Sequence, residues 1–202
     1  MPTFTRRAAI AALFFGSLAL AAPHTASADE TDAAKALVTS TAERLVALIR
    51  ADQPIEQKRV AFRDLMNETA AMPQIARYAL GRPWRKMSDE QKAEYLDLFP
   101  AYLSKIYTKR FNDYAGETLE VVGAEARGDK GVFVNTQVVR AGAEPLEVIW
   151  RVQDKAGSPQ ITDINIEGIS LLITQREDFQ GQLQQSNGDV AAFLDRLRSL
   201  AS

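Results

Sequence analysis

Residues 165 to 179 read NIEGISLLITQREDF, and this stretch joins two kinds of secondary structure. Up to Glu167 apolar and polar side chains alternate, which is typical of a β-strand. From Ile169 onward the apolar residues recur at a spacing of three to four, which predicts an α-helix. Gly168 lets the backbone turn sharply between the two. The stretch therefore predicts an apolar wall where a sheet meets a helix.

The chain before this stretch also alternates with a period of two, and four β-strands are predicted at 118–125, 130–140, 145–153 and 160–167. The connections between them are short and contain glycine, which indicates an antiparallel meander. In the third strand Leu146, Val148, Trp150 and Val152 share one face, and the other face is largely polar. We therefore expect helices to cover one side of the sheet.

Segments with an apolar spacing of three to four predict about six helices. They are residues 31–51, two helices that begin near Pro54 and Pro73, a helix from 88 to about 114, residues 169–183, and a last helix capped by Asp189. Ser88 and Gln91 have the spacing of a capping box. Pro100 lies inside the fourth helix and predicts a kink or a break there. The predicted fold is α+β, a curved four-stranded antiparallel sheet wrapped by helices in a single domain, residues 29–202.

The first 28 residues have the pattern of a secretory signal peptide. Arg6 and Arg7 supply the positive charge, residues 8–22 are uncharged and mostly apolar, and residues 26–28 offer small side chains for cleavage. Residues 5–10 also resemble a twin-arginine export signal. The alternative is a retained membrane anchor, for which the apolar run is short.

Removing 28 of the 202 residues leaves 174, which contain neither Cys nor His. Zinc sites built from thiolates or imidazoles are therefore excluded, as are disulfides and Ser-His-Asp or Cys-His catalytic systems. Without Arg6 and Arg7, 22 Lys and Arg face 26 Asp and Glu, so the formal charge is −4. This mild acidity does not favour a nucleic acid partner.

Four carboxylates flank the join, Asp163, Glu167, Glu177 and Asp178. Paired carboxylates can carry out acid–base catalysis. However, Asp163 and Glu167 alternate with isoleucines, which favours the solvent face of the strand. Glu177 and Asp178 fall on the polar side of the helix, so ordinary surface charges are the favoured interpretation.

Residues 82–86 read RPWRK and place three cations around one tryptophan. Such a group can bind phosphate by charge and by bidentate hydrogen bonds. The alternative, which we favour, is a solvated loop whose tryptophan packs into the core.

The fourth helix is apolar on more than one side between residues 95 and 111. A helix of this kind needs two apolar neighbours. The sheet can supply one, and the second is either another helix or an apolar ligand.

Several motifs together resemble one bacterial family, the MlaC or toluene-tolerance family of periplasmic phospholipid-binding proteins. They are YALGRPW at 78–84, Ser88 with Gln91, Phe99 with Tyr102, Leu103 and Tyr107, Tyr114 with Gly116 and Glu117, IEGISL at 166–171, Arg176 with Phe179, and Asn187-Gly188. The resemblance covers roughly residues 35 to 200. This sequence departs from the family pattern at Pro83 and Pro100, which leaves the local shape of a pocket open.

The resemblance implies an NTF2-like fold whose apolar cavity holds the acyl chains of a phospholipid. It also implies a carrier and not an enzyme, with no catalytic residues, no metal and no cofactor besides the lipid cargo. The implied partners are an inner-membrane ABC transporter complex, with its substrate-binding membrane subunit, and an outer-membrane lipoprotein–porin complex. The implied role is lipid shuttling in the periplasm that maintains outer-membrane asymmetry.

On this interpretation thirteen apolar residues are expected to line the cavity. One wall is predicted from Ile164, Ile166, Ile169, Leu172 and Ile173, the facing wall from Trp84, Phe99, Tyr102, Leu103 and Ile106, and the floor from Val134, Val148 and Trp150. Arg82, Arg85 and Lys86 are the candidates for head-group contact or docking.

Three alternatives remain open. A paralogue group associated with hopanoids carries another lipid, although the residues after Gly168 favour the phospholipid carrier. An NTF2-like enzyme would need an inward acid, and a register change of one residue would turn Asp163 inward. An interaction module would have a packed core and no cavity.

Overall fold

The computed structural model of the protein describes residues 28–114, 116–155 and 157–202. The predicted export signal, residues 1–28, lies outside the described residues except for Ala28. The helices are α1 (Ala28–Arg50), α2 (Ile55–Thr69), α3 (Met72–Leu80), α4 (Asp89–Thr108), α5 (Leu171–Gln185) and α6 (Val190–Ala201). The strands are β1 (Thr118–Ala126), β2 (Val132–Val139), β3 (Leu146–Lys155), β4 (Ser158–Ile166) and β5 (Ile169–Ser170). In the described ranges no helix has the length and apolar content needed to cross a membrane.

The strands form one antiparallel sheet in the order β1-β2-β3-β4-β5. The predicted meander is therefore confirmed, but the predicted number of four strands is wrong by one. The fifth strand is the pair Ile169 and Ser170, which folds back on β4 through a two-residue turn. Both turn residues, Glu167 and Gly168, have positive φ (50° and 83°). This is the backbone of a tight hairpin, so the helix starts two residues later than predicted.

A β-bulge in β4 sets which residues face the helices. Val152 pairs with Ile161, but Arg151 pairs with Asp163, so Thr162 is the extra residue. Because of this shift, Ile161 and Ile164 both pair with inward residues of β3 although they are three positions apart. Strict alternation fails at this point of the strand.

Helix α4 begins where the sequence predicts. The Ser88 hydroxyl accepts from the Gln91 N–H (3.2 Å), and the Gln91 side chain accepts from the Ser88 N–H (3.0 Å), which confirms the capping box. The helix continues through the buried Pro100, so the predicted break does not occur. It ends at Thr108 and not near residue 114, since a short 3₁₀ turn, Phe111–Asp113, takes over.

The apolar side chains form two separate clusters. The helical core joins α3, α4, α5 and α6, and its largest buried side chains are Tyr95, Phe99, Tyr102, Phe179 and Phe193. The sheet core joins α1 to the inner face of the sheet through Ala34, Val38, Val132, Val134, Val148, Trp150, Val152 and Ile161. Ring centroids in the helical core lie 5.1 to 6.3 Å apart in edge-on or tilted pairs.

Helix α5 also holds the C-terminal end of α3. Arg176 Nη1 donates to the Tyr78 carbonyl (2.9 Å), and Gln180 Nε2 donates to the Leu80 carbonyl (2.9 Å). The Arg176 guanidinium lies 4.9 Å from the centre of the Tyr78 ring. These bonds satisfy carbonyls that a helix end leaves without partners, and they fix α3 against α5.

Candidate functional site

A cavity of about 650 Å³ is lined by residues of both cores. Helices α1 to α5 and the inner face of the sheet form its walls. Its larger aliphatic residues, phenylalanines and tryptophan are Leu45, Val46, Ile49, Phe62, Leu65, Met66, Met72, Ile75, Phe99, Leu103, Phe111, Leu119, Val138, Leu146, Trp150, Ile161, Ile164, Leu171 and Leu172. A space of this size and character suits an apolar ligand or part of one.

The cavity lining includes five of the thirteen predicted wall residues, namely Phe99, Leu103, Trp150, Ile164 and Leu172. They come from α4, β3, β4 and α5, so the junction of sheet and helix does border a cavity. The position of Trp150 is fixed by a hydrogen bond chain. Its Nε1 donates to Thr136 Oγ1 (3.0 Å), and that hydroxyl donates to the Val148 carbonyl (2.8 Å).

The other eight predicted residues lie outside the lining. Trp84, Tyr102 and Ile106 pack in the helical core, Val134, Val148 and Ile166 pack in the sheet core, and Ile169 and Ile173 face solvent with 62% and 49% exposure. Trp84 is turned toward Tyr95, with the ring centres 6.2 Å apart. Ile169 is exposed because it belongs to the edge strand β5 and not to a helix that faces the sheet.

Residues of α1 and α2 form a cavity wall that was not predicted from the sequence. Leu45, Ile49 and Phe62 line the cavity and belong to neither core. Their signal was present in the sequence as the apolar stripes of two amphipathic helices. Periodicity shows which face of a helix is apolar, but it does not show whether that face meets protein or a cavity.

Charged side chains collect at one rim of the cavity. Arg110 and Asp113 follow α4, Glu117 precedes β1, and Arg140 follows β2. Tyr114 lies among them, and its hydroxyl donates to the Glu117 carbonyl (2.7 Å). The rim therefore combines two exposed cations with an anchored aromatic ring.

The cations that the sequence suggested for head-group contact are elsewhere. Arg82, Arg85 and Lys86 form a 3₁₀ turn between α3 and α4, and none of them lines the cavity. The cations that line the cavity are Arg110 and Arg140. A docking role for Arg82, Arg85 and Lys86 stays a prediction.

A shallower groove adjoins the cavity where α1 passes β1. Ala42, Val46 and Leu119 line both spaces. Strand β1 is the edge of the sheet, so the seam between α1 and β1 is a second side on which the cavity approaches the surface.

Asp163 lines the cavity, contrary to the expectation that it faces solvent. Its Oδ1 accepts from the N–H groups of Ile164 (2.8 Å) and Leu172 (3.1 Å), and its Oδ2 accepts from the Ser170 hydroxyl (2.6 Å). Strand β5 and the start of α5 cover this end of β4, which explains the difference. The carboxylate is occupied in holding the N-terminus of α5.

The other three carboxylates of the join are exposed, as predicted. Glu167 is tied to β3, because its Oε1 accepts from the Glu147 N–H (2.7 Å) and its own N–H donates to the Glu147 carbonyl (3.1 Å). Glu177 and Asp178 lie on the outer face of α5. Within the described residues, no group of three or more His, Cys, Asp or Glu is placed to hold a metal ion.

The surroundings of Tyr107 in the cavity wall raise its pKa. Burial raises the pKa of Tyr107, and nearby Tyr102 and Asp178 act in the same direction, while Arg110 opposes them. The phenol therefore stays neutral at physiological pH.

This geometry defines an α+β protein whose sheet and helices enclose an apolar, ligand-sized cavity with charges at its rim. The chain belongs to the MlaC family, because the model of that family, described as MlaC protein, matches residues 39–199. A phospholipid-binding protein from Ralstonia solanacearum, solved in complex with a phospholipid, has a similar structure with a TM-score of 0.72. The match covers 83% of this chain and 96% of that chain at 22% sequence identity, and it shows a shared fold.

Proposed function

We propose that this protein is a periplasmic phospholipid carrier that holds acyl chains in its cavity. The observation that carries the proposal is the cavity of about 650 Å³, whose walls are apolar and whose charges gather at one rim, in a chain of the MlaC family. A phospholipid has the same division into apolar chains and a charged head group. The phospholipid complex of the structurally similar Ralstonia protein is consistent with this cargo.

Energetics favour a cavity over a surface patch. Burial of a methylene group is worth about 0.8 kcal/mol, so two acyl chains of about 16 carbons would cost roughly 25 kcal/mol to expose to water. A hydrogen bond to a charged head group contributes about 1.5–3 kcal/mol. Affinity therefore resides mainly in the chains, and the carrier is expected to accept several head groups.

The charged residues of the rim then orient the bound phospholipid. With the chains against Leu45, Phe99 and Trp150, the phosphate is left at the charged end, within reach of Arg110 and Arg140. Contacts of an anion with exposed guanidinium groups are weak in affinity, but they favour one direction of insertion.

Native mass spectrometry of the mature protein, followed by lipid extraction, tests this function. We expect a discrete adduct that resolves into phospholipids of mixed head group. A lipid-free mass that does not change after incubation with phospholipid vesicles would contradict the proposal and favour an interaction module. A hopanoid as the extracted lipid would identify the carrier of another lipid.

The proposed partners are an inner-membrane ABC transporter complex and an outer-membrane lipoprotein–porin complex, between which the carrier shuttles lipid and so maintains outer-membrane asymmetry. Support comes from membership of the MlaC family and from the export signal predicted at residues 1–28. Osmotic-shock fractionation tests the location. Site-specific cross-linking from a probe at the exposed position of Lys86 tests docking, and recovery of the same cross-links with Arg85→Gln as with Arg85 in place would argue against a charge-based role of Arg85.

An NTF2-like enzyme is the less favoured function. Of the acids that line the cavity, Asp113 and Glu117 lie at the charged rim, and Asp163 is the one on the apolar wall. All three hydrogen bonds to the Asp163 carboxylate serve the start of α5 and its own strand. Such a carboxylate holds structure in place, which supports a carrier over a catalyst.

A further inference from the structure

Gln175 is a polar residue at an apolar position of the cavity wall. It lies on α5, on the face that also presents Leu171 and Leu172 to the cavity and Phe179 to the helical core. Its side chain is only 5% exposed. Glutamine is rarely buried to this extent unless its amide has a partner.

The amide nitrogen of Gln175 has no such partner. Among the described residues, no acceptor lies within hydrogen-bonding distance of its Nε2. The three buried hydroxyls of the same cavity behave differently, because Thr41, Thr69 and Thr162 donate to the carbonyls of Leu37, Leu65 and Arg151 at 2.7, 2.8 and 3.2 Å. The wall therefore satisfies the hydroxyls of these three threonines, whereas the Gln175 amide nitrogen has no acceptor and exposes almost no surface in the empty protein, so its side chain must turn toward the cavity to meet a ligand.

We propose that, when lipid binds, the Gln175 side chain turns its amide toward the cavity and donates a hydrogen bond to an acyl ester carbonyl of the cargo. This inference rests on the function proposed above, and it adds a specificity residue to it. Phospholipids carry two kinds of strong acceptor, the charged phosphate and the neutral ester carbonyls. The phosphate is expected to lie near the cations of the rim. An ester carbonyl is joined directly to the acyl chain, so it enters the apolar cavity together with that chain.

The physical reason is the penalty for leaving a buried donor without an acceptor. That penalty corresponds to about 5- to 100-fold in a binding constant. A lipid with an ester carbonyl near Gln175 removes this penalty by accepting the hydrogen bond. An ether-linked lipid removes less of the penalty, because an ether oxygen is a weaker acceptor. The site therefore selects for ester-linked chains and not for a head group.

The test compares diester and diether phosphatidylcholine of identical chain length, each bound by wild type and by Gln175→Met. Methionine keeps the length of the side chain and removes the donor. We expect wild type to prefer the diester, and Gln175→Met to weaken diester binding by about 5- to 100-fold while diether binding changes by less than about twofold. Gln182→Met is the matched control, since Gln182 is on the same helix but does not line the cavity, and it should leave both lipids unaffected.

Folding of the variant is checked separately. Lipid-free Gln175→Met should melt no lower than wild type, because an apolar side chain replaces a buried unsatisfied donor. An equal loss for both lipids, or no loss for either, would overturn the assignment of the ester carbonyl, the second result indicating that the amide stays shielded from the cargo. Failure of wild type to bind either lipid would instead refute the carrier function itself.

Discussion

Replacing Leu45 by glutamate should abolish most lipid binding at neutral pH and restore it in acid. Leu45 lines the cavity from the C-terminal third of α1, is half-buried, and belongs to neither core, so its loss removes little packing from the empty protein. Leu45→Gln is the matched control. Glutamate and glutamine have similar helix propensities and the same shape, so the two variants differ only in charge.

The expected magnitude follows from the proton that must be taken up before the acyl chains cover the side chain. A free glutamate has a pKa of about 4.3, and each pH unit corresponds to about 1.4 kcal/mol, so protonation at pH 7 costs about 3.7 kcal/mol. Leu45→Glu should therefore bind about 500-fold more weakly than Leu45→Gln at pH 7. The difference in lipid affinity between the two variants should shrink tenfold for each unit by which the pH falls, and it should vanish near pH 4.3. The affinity of Leu45→Gln should not change with pH.

The assay is titration of each variant with a phospholipid that carries a fluorescent acyl chain, between pH 4.5 and 8, with unfolding curves recorded alongside. Equal affinity of the glutamate and glutamine variants at pH 7 would refute the reasoning, because the carboxylate would then remain hydrated in the loaded protein. A difference that does not change with pH would also refute it.

Three further predictions concern stability and the rim. Tyr95→Phe should lose about 1 kcal/mol of stability at pH 7, because it removes a hydrogen bond of 2.8 Å to a buried carbonyl of α3. Burial raises the pKa of Tyr95 above that of a free tyrosine, so wild type should lose stability above about pH 10 more steeply than the variant does in urea unfolding. Gly131→Ala should cost at least about 2 kcal/mol, because its φ is 87° and a Cβ there would lie 2.2 Å from a carbonyl of β3, whereas Gly142→Ala, with φ 74° and open space, should cost about 1–2 kcal/mol. Arg110→Ala combined with Arg140→Ala should weaken phosphatidylglycerol binding by at most about tenfold and phosphatidylethanolamine binding by less.

Each of these has its own control. An alkaline slope of Tyr95→Phe as steep as that of wild type would remove the burial argument. Equal losses from the two glycine variants would mean that the contact with β3 relaxes freely. Arg85→Ala should leave both lipid affinities unchanged, and a loss as large as that of the rim double variant would place the head group elsewhere.

Local signals account for the parts of the fold that the sequence predicted well. The capping box at Ser88, the change of period after Gly116 and the glycines of the turns act over a few residues, so they can be read without tertiary information. Pro100 shows the limit of such reasoning, since the proline is buried inside a continuous helix and the surrounding packing overrides the local preference for a break.

The site was predicted less well for two physical reasons. The bulge at Thr162 comes from pairing between β3 and β4, which no single segment records, and it changes which residues of β4 face inward. The packed core and the cavity walls are also built from the same types of apolar residue, so composition does not distinguish them. Phe99 and Phe179 have the same burial, yet only Phe99 borders the open space.

The separation of the helical core from the sheet core has a consequence for folding cooperativity. Without cargo, the two clusters are distinct, although Ala70 packs against both, so hydrogen exchange should report two units that open with different free energies. With acyl chains in place the interior becomes continuous, and both units should open together at a higher free energy set by lipid affinity and concentration. Under the proposed function, release of the lipid removes part of the hydrophobic interior and leaves the empty protein as the more loosely coupled of its two forms.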